Sequence, residues 1–255
     1  MLSQNVEHKT VPYKINYEVP KESKMKKSRI ILSMLLCLIL TTSLVACGED
    51  SGDDDAGSKG KSGKYLKITD SGYDISGEKG DYYLHYSVII KNTNKDAGVE
   101  LPGIRVTAYD KDGEVMETAD ESMNSIYPGM ELGFASQAFG LTEKPFKVDF
   151  EILEPEDWIS GDDFKHANFK QLKVEKAEVK DNGYGTFSIT GQLTNENDYD
   201  LGSVAVSVLY KDKDGNLKGG ETEYVNNIKA GATVPFETLG YDFDYDDYIV
   251  YTQPW

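Results

Sequence analysis

The sequence predicts an all-β protein built as two tandem β-sandwich domains that follow an export signal. Three observations predict this fold: apolar residues alternate with polar ones, turn residues recur at short intervals, and the whole pattern repeats about 100 residues later. Alternation with a period of two places the apolar side chains on one face of a strand. Short strands separated by Gly, Pro, Asn and Asp are typical of two-sheet sandwiches.

The repeat is visible at three landmarks that occur in the same order in both copies. The matching segments are 92–94 with 195–197, 110–113 with 212–215, and 126–134 with 228–236. A period of about 100 residues is too long for a solenoid and indicates tandem domains. We therefore predict one domain over 64–154 and another over 166–255, joined by a linker over 155–165.

Each copy is predicted to consist of strands alone. In the first copy, strict alternation from Tyr82 to Ile90 predicts a strand with one buried face, and it places His85 on the opposite face, towards solvent. Asp112-Gly113 predicts a hairpin turn, since Gly accepts a positive φ. In the second copy, the predicted strands are 172–179, 185–194, 201–210, 217–225, 233–240 and 248–251.

This arrangement resembles the FxLYD-type immunoglobulin-like domains of bacterial surface lipoproteins. The resemblance rests on the Asn-rich turn, the strand that ends near Tyr109 or Tyr210, the Lys-Asp-Gly hairpin, and the later Gly followed by Phe. It covers nearly all of 65–255. The resemblance implies immunoglobulin-like β-sandwiches and implies no enzymatic activity.

An export signal precedes the two copies. Lys26, Lys27 and Arg29 form a basic region, and the apolar run 30–40 after it is shorter than the roughly 20 residues that span a bilayer. Leu44-Val45-Ala46-Cys47 resembles the lipobox of bacterial lipoproteins. The resemblance implies cleavage between Ala46 and Cys47, and a diacylglycerol on the Cys47 thiol that anchors the protein at the extracytoplasmic face of the cell membrane.

We make separate predictions for the segments before and after this signal. A signal peptide begins near its basic region, so we predict that translation starts at Met25, that 25–46 is the signal peptide, and that 1–24 is a mis-annotated extension. The segment 47–63 is rich in Gly, Ser and Asp, and after Cys47 it has no apolar residue larger than Ala. Because it cannot bury apolar surface, we predict a disordered acidic tether.

Charge and residue content exclude several classes of function. Removing the seven Lys/Arg and three Asp/Glu of residues 1–46 leaves 20 basic and 41 acidic residues, a formal net charge of −21. This charge opposes nucleic-acid binding. Cleavage removes Cys37 and lipid occupies Cys47, so the mature chain has no free thiol and no disulfide. It retains His85 and His166 alone, and no spacing indicates a catalytic arrangement, so we predict that it is not an enzyme.

Two groups of residues are candidate binding sites. Asp242, Asp244 and Asp246 would share one face of a strand, where crowded carboxylates favour Ca²⁺ as a ligand. The same charges are also typical of an edge strand that deters aggregation. Trp158 and Trp255 lie outside the predicted strands and are candidates for contact with a protein or a glycan.

These observations together predict a non-catalytic binding or interaction module on the cell envelope. Its expected partners are the membrane, through the lipid, and an envelope protein or glycan, with no nucleic acid. The alternative is a calcium- or solute-binding envelope protein that uses the acidic and aromatic region near 241–248.

Overall fold

Strands form nearly all of the regular structure, and the all-β prediction is confirmed. The computed structural model describes residues 59–61 (backbone alone), 63–153, 155, 157–166, 168–183, 186–240 and 244–255. No α-helix is present among these residues. The predicted start at Met25, the signal peptide, the lipidation site and most of the tether lie outside the described residues.

Within these ranges there are fifteen strands, and six in each copy follow the order that the repeat predicts. The first copy holds β1 (Lys59–Lys61), β2 (Leu66–Glu78), β3 (Asp81–Asn92), β4 (Ala97–Gly98), β5 (Gly103–Tyr109), β6 (Val115–Ser122), β7 (Glu131–Leu141) and β8 (Lys147–Leu153). The linker holds β9 (Ile159–Ser160). The second copy holds β10 (Lys173–Gly183), β11 (Thr186–Thr194), β12 (Leu201–Lys211), β13 (Leu217–Ile228), β14 (Thr233–Gly240) and β15 (Asp247–Pro254).

Each copy consists of two sheets with the same strand order. Sheet I is β2-β3-β7 in the first copy and β10-β11-β14 in the second. Sheet II is β8-β5-β6 in the first copy, with β1 added parallel to β8, and β15-β12-β13 in the second. Apart from β1, the pairings within these sheets are antiparallel. The equivalent topology shows that the sequence repeat is a structural repeat.

The core of each copy lies between its two sheets. In the first copy, Leu84, Tyr86, Val88 and Ile90 of β3 are fully buried, as their alternation predicts. Side chains from sheet II pack against them, including Ile104, Val106 and Phe150. The second core is built in the same way, with Ile189, Leu193, Val206, Val208 and Phe236 among its buried members.

The hairpin after each Tyr-containing strand is held by an aspartate. The Asp110 carboxylate accepts hydrogen bonds of 2.9 Å from the backbone N–H groups of Asp112 and Glu114. Asp212 accepts the corresponding bonds in the second copy. Gly113 and Gly215 have φ of 81° and 85°, a region that favours glycine, and the predicted hairpin turns are confirmed.

The Asn-rich turns also have the same structure in both copies. Asn92 is fully buried, and its Nδ2 donates to the carbonyl oxygens of Ala97 and Tyr127 at 2.9 and 3.1 Å. Asn195 is fully buried too, and its Nδ2 donates to the carbonyl oxygen of Tyr199 at 3.0 Å. Each side chain therefore satisfies buried backbone groups where the chain leaves sheet I.

Two predicted connecting segments make backbone contacts with the first copy. The prediction of a disordered tether is wrong for its residues Lys59–Lys61, which form β1 and pair with Asp149–Glu151 of β8. The linker is also more than a connector, because β9 pairs with β4 and the N–H of Gly161 donates to the carbonyl oxygen of Asp96 at 2.7 Å. Backbone hydrogen bonding to the first copy orders both segments, and composition alone does not reveal such partners.

Candidate functional site

The two copies contact each other through the outer faces of two sheets. The outer face of sheet I in the first copy packs on the outer face of sheet II in the second, and we call this contact the junction. Its apolar centre contains Ile89 and Ala135 from the first copy, and Leu209 and Leu217 from the second, all of them buried. The separate sandwiches therefore form one compact unit, which the sequence did not predict.

Polar groups reinforce the junction around this apolar centre. The Ser87 hydroxyl donates to the carbonyl oxygen of Lys218 at 2.6 Å, and the Thr222 hydroxyl donates to the carbonyl oxygen of Ala135 at 2.8 Å. Further links are an ion pair from Lys218 to Asp74 (2.6 Å), a hydrogen bond from Tyr251 to Glu131 (2.8 Å), and one from the Gln253 amide to the Ser125 carbonyl (2.7 Å).

Glycines allow the two sheets to approach closely. A Cβ on Gly72 would overlap the carbonyl oxygen of Leu217, and one on Gly133 would overlap the ring of Tyr251. On the opposite sheet, a Cβ on Gly220 would lie 2.8 Å from the Cβ of Ala135. Any larger side chain at these positions requires the sheets to move apart.

His85 lies within the junction, so the prediction that it faces solvent is wrong. Its side chain is on the outer face of sheet I, as alternation predicts, but the second copy covers that face and leaves His85 1% exposed. The His85 Nε2 shares a 2.9 Å hydrogen bond with the Ser76 hydroxyl. Burial lowers the pKa of His85 to about 4, and the nearby Asp74 carboxylate offsets only part of this effect.

A cavity of about 280 Å³ borders His85 and is lined by both copies. Glu221 of β13 also lines it and is buried, with its carboxyl accepting a 2.7 Å hydrogen bond from the Tyr210 hydroxyl. Burial raises the pKa of Glu221 to about 8, although the Tyr210 hydrogen bond acts in the opposite direction. At neutral pH this carboxyl is therefore mainly protonated and hydrogen-bonded.

A smaller cavity of about 120 Å³ lies at the end of the junction where both copies meet the linker. Its polar lining includes Glu100 of the first copy and Lys165 of the linker. Tyr127 also lines it and packs within the core of the second copy, with its ring centroid 4.6 Å from that of Phe164. Burial raises the pKa of Tyr127, so this hydroxyl stays protonated.

Trp255, one of the two predicted binding aromatics, lines the same cavity. Its ring is 5.3 Å from that of Tyr224 in an edge-to-face arrangement, and the two residues are 59% and 44% exposed. This aromatic pair presents apolar surface beside polar groups from both copies. Sequence reasoning missed Tyr224, because nothing distinguishes it from the other tyrosines at strand positions.

The second predicted aromatic, Trp158, has a different environment. It is half-buried, packs against the core of the first copy, and meets Tyr65 edge to face at 5.3 Å. Trp158 and Trp255 are therefore not brought together into one surface. The packing of Trp158 is that of a structural residue.

The expected strand does not form at Asp244 and Asp246, the two predicted calcium ligands that the structure describes. Asp242 lies outside the described residues, whereas Asp244 and Asp246 are exposed and precede β15 in an irregular segment. The shared strand face is therefore wrong for 244–246, although Tyr245 does pack inward, 4.9 Å from the ring of Tyr210. Within the described part of the chain, no group of three or more His, Cys, Asp or Glu side chains is arranged to hold a metal ion.

The remaining predicted site residues, Ala46 and Cys47, lie outside the described residues. In the part of the chain that the structure covers, there is no helix of the length and apolar character needed to cross a membrane. No protein-family model and no curated protein matches this chain.

Proposed function

We propose that this chain is a lipid-anchored protein of the bacterial cell envelope, whose joined sandwiches act as a non-catalytic binding module. The membrane part of this proposal rests on the sequence 44–47, which resembles a lipobox and would place the lipid on Cys47. The immunoglobulin-like assignment of the two sandwiches belongs to the same proposal and rests on the resemblance of their motifs.

The observation that carries the binding role is the exposed pair of Trp255 and Tyr224 beside a cavity lined by both copies. Large aromatic side chains with a polar rim are enriched where proteins bind other molecules. The pair depends on the second copy, and the nearby Glu100 is supplied by the first. Docking of the copies therefore assembles a surface that neither copy has alone.

The expected ligand is an envelope protein or a glycan. An aromatic ring contacts either an apolar protein side chain or the apolar face of a sugar, and the polar groups at the cavity supply hydrogen bonds. The negative charge of the exported part disfavours anionic ligands.

Chemical cross-linking in intact cells tests this role. The protein is expressed with a tag and an intact Cys47, and captured material is compared between the parent and the double variant Trp255→Ala/Tyr224→Ala. The control is Phe146→Ala, which removes another aromatic residue that is 53% exposed. A partner or glycan lost from the double variant but retained in the control supports the proposal, and equal recovery from all three proteins contradicts it.

The lipid anchor is tested separately by metabolic labelling with palmitate. We expect the parent protein to carry label and to fractionate with membranes. Cys47→Ser should lose both properties. Membrane retention of an unlabelled Cys47→Ser protein would contradict the anchor while leaving the binding role of the sandwiches open to the cross-linking test.

A further inference from the structure

The junction joins the outer face of sheet I in the first copy to the outer face of sheet II in the second. The other two outer faces, on sheet I of the second copy and sheet II of the first, point away from the junction. We call these two surfaces the free faces. A contact between unlike surfaces can propagate from chain to chain into open filaments. The strand registers show which residues occupy equivalent positions on the engaged and free faces.

The glycines of the junction are replaced by larger residues on the free faces. On sheet I, the positions of Gly72 and Gly133 are occupied in the second copy by Glu178 and Pro235. On sheet II, the position of Gly220 is occupied in the first copy by Thr118. Since a Cβ at these glycines already overlaps the opposite sheet, the free faces cannot approach each other as the engaged faces do.

Charged residues reinforce this difference on sheet I. Ala135 packs at the centre of the junction, and its equivalent in the second copy is Glu237, which pairs with Lys180 at 3.2 Å. An open groove of about 540 Å³ lies on this free face, and Glu178 and Glu237 both line it. The face has space for a ligand but presents charge where the first copy presents small residues.

The free face of sheet II also carries charged residues where its equivalent in the junction carries uncharged ones. Ser207 and Thr222 face the first copy across the junction, and their equivalents are Arg105 and Asp120, which form an exposed ion pair at 2.7 Å. Tyr251 also faces the first copy, and its equivalent is Glu151. Val115, equivalent to the buried Leu217, keeps an apolar side chain and is 59% exposed.

We propose that the free faces of sheet I and sheet II reject a second copy of this chain, and so prevent head-to-tail assembly through the contact that joins its own sandwiches. If the same contact formed between two chains, Glu237 of one chain would lie opposite Thr118 and Asp120 of the other. Glu178 would meet the backbone at Val115, where the junction has room only for glycine. Bulk at the glycine positions opposes that contact, and so does the desolvation of the Lys180–Glu237 and Arg105–Asp120 ion pairs that it would bury.

Two variants separate the two faces. The first variant gives the free face of sheet I the residues that the first copy has at the equivalent positions, through Glu178→Gly, Pro235→Gly and Glu237→Ala. The second gives sheet II of the first copy the residues of the second copy, through Glu117→Gly, Thr118→Gly, Asp120→Thr and Glu151→Tyr. Glu117 is equivalent to Gly219, where an added Cβ would lie 3.1 Å from the Cβ of His85. In each variant the other free face keeps its native residues, so we expect sedimentation equilibrium to give the mass of one chain for each.

Mixing the two variants is the decisive measurement. An equimolar mixture should contain a species of twice the single-chain mass, because the substituted sheet I of one variant can pack on the substituted sheet II of the other. A chain with all seven substitutions should form longer oligomers as its concentration rises. If the mixture and the combined variant stay at the mass of one chain, with circular dichroism showing folded proteins, the proposal is overturned.

If the multiple variants fail to fold, a reciprocal substitution tests whether a large side chain at a glycine position separates the two faces. Gly72→Glu places the residue of the free face into the junction. Hydroxyl-radical labelling of side chains should then increase at Ile89 and Leu209 in the junction, while Val88 and Val208 in the two cores remain protected. An unchanged labelling pattern in a folded Gly72→Glu protein would overturn the proposal.

Discussion

Ser87 of the first copy donates a 2.6 Å hydrogen bond to the backbone carbonyl oxygen of Lys218, 131 positions further along the chain in the second copy. A side chain reaches the backbone of another sheet in this way only when the two sheets are in direct contact. The surrounding glycines permit that contact, and the Lys218 ammonium continues it through an ion pair with Asp74. The relationship explains why both β3 and β12 are buried on two faces.

Enlarging a junction glycine should destabilise the protein. In Gly133→Val, the new side chain overlaps the Tyr251 ring, and we expect a loss of about 1–3 kcal/mol in the free energy of unfolding, measured by urea denaturation. The control is Gly202→Ala on β12, where no atom lies within 4 Å of the added Cβ. A Gly133→Val protein as stable as this control would contradict the close approach of the sheets.

His85 should make the protein less stable in mild acid. Its pKa is about 4 in the folded state and about 6.5 when unfolded, so below pH 6.5 the unfolded chain binds more protons. The contribution of His85 to the free energy of unfolding is therefore full above pH 6.5. It falls by up to about 1.4 kcal/mol per pH unit as the pH decreases towards 4. Urea denaturation from pH 7 to pH 4.5 should show that the parent loses stability relative to His85→Gln as the pH falls, since Glu221 contributes equally to both proteins. Equal slopes for both proteins would contradict burial of His85.

Glu221 should have the opposite effect at higher pH. Its folded pKa of about 8 exceeds the unfolded value of about 4.5, so the folded state binds more protons between these values. The stability from this group is full below pH 4.5 and declines as the pH rises to 8. We expect Glu221→Gln to remove this decline and to be more stable than the parent at pH 8.

The control for Glu221 is Glu117→Gln, which removes an exposed carboxylate from β6 of the first copy. Urea denaturation at pH 6.5 and pH 8 distinguishes the two variants, because the effect of His85 is complete by pH 6.5. A parent protein whose stability does not fall over this range, or a Glu117→Gln variant that behaves like Glu221→Gln, would contradict the role assigned to Glu221.

The calcium hypothesis makes a separate prediction about the acidic segment before β15. If Asp244 and Asp246 bind Ca²⁺, added calcium should raise the Tm of the parent protein, and Asp244→Asn/Asp246→Asn should abolish this rise. The control Asp162→Asn/Asp163→Asn removes the same charge from exposed linker residues. An equal rise in all three proteins, or none in the parent, would refute calcium binding at this segment.

Sequence reasoning located the strands of the second copy closely, because their signals are local. The predicted strands 201–210 and 233–240 correspond to β12 (Leu201–Lys211) and β14 (Thr233–Gly240). Asp and Gly at the hairpins, and Asn at the turns, act through neighbouring backbone groups. The candidate site was found only in part, since Trp255 was identified but its partner Tyr224 resembles any strand tyrosine.

The sequence by itself determined the all-β fold, the repeat, and the side of its strand on which each residue lies. Only the tertiary structure decided that the outer side at His85 meets another sheet instead of water. Alternation has a period of two and defines two faces, but it carries no information about what covers the second face. That covering depends on Gly72, Gly133 and Gly220, whose missing side chains act on a sheet more than 80 residues away in the chain.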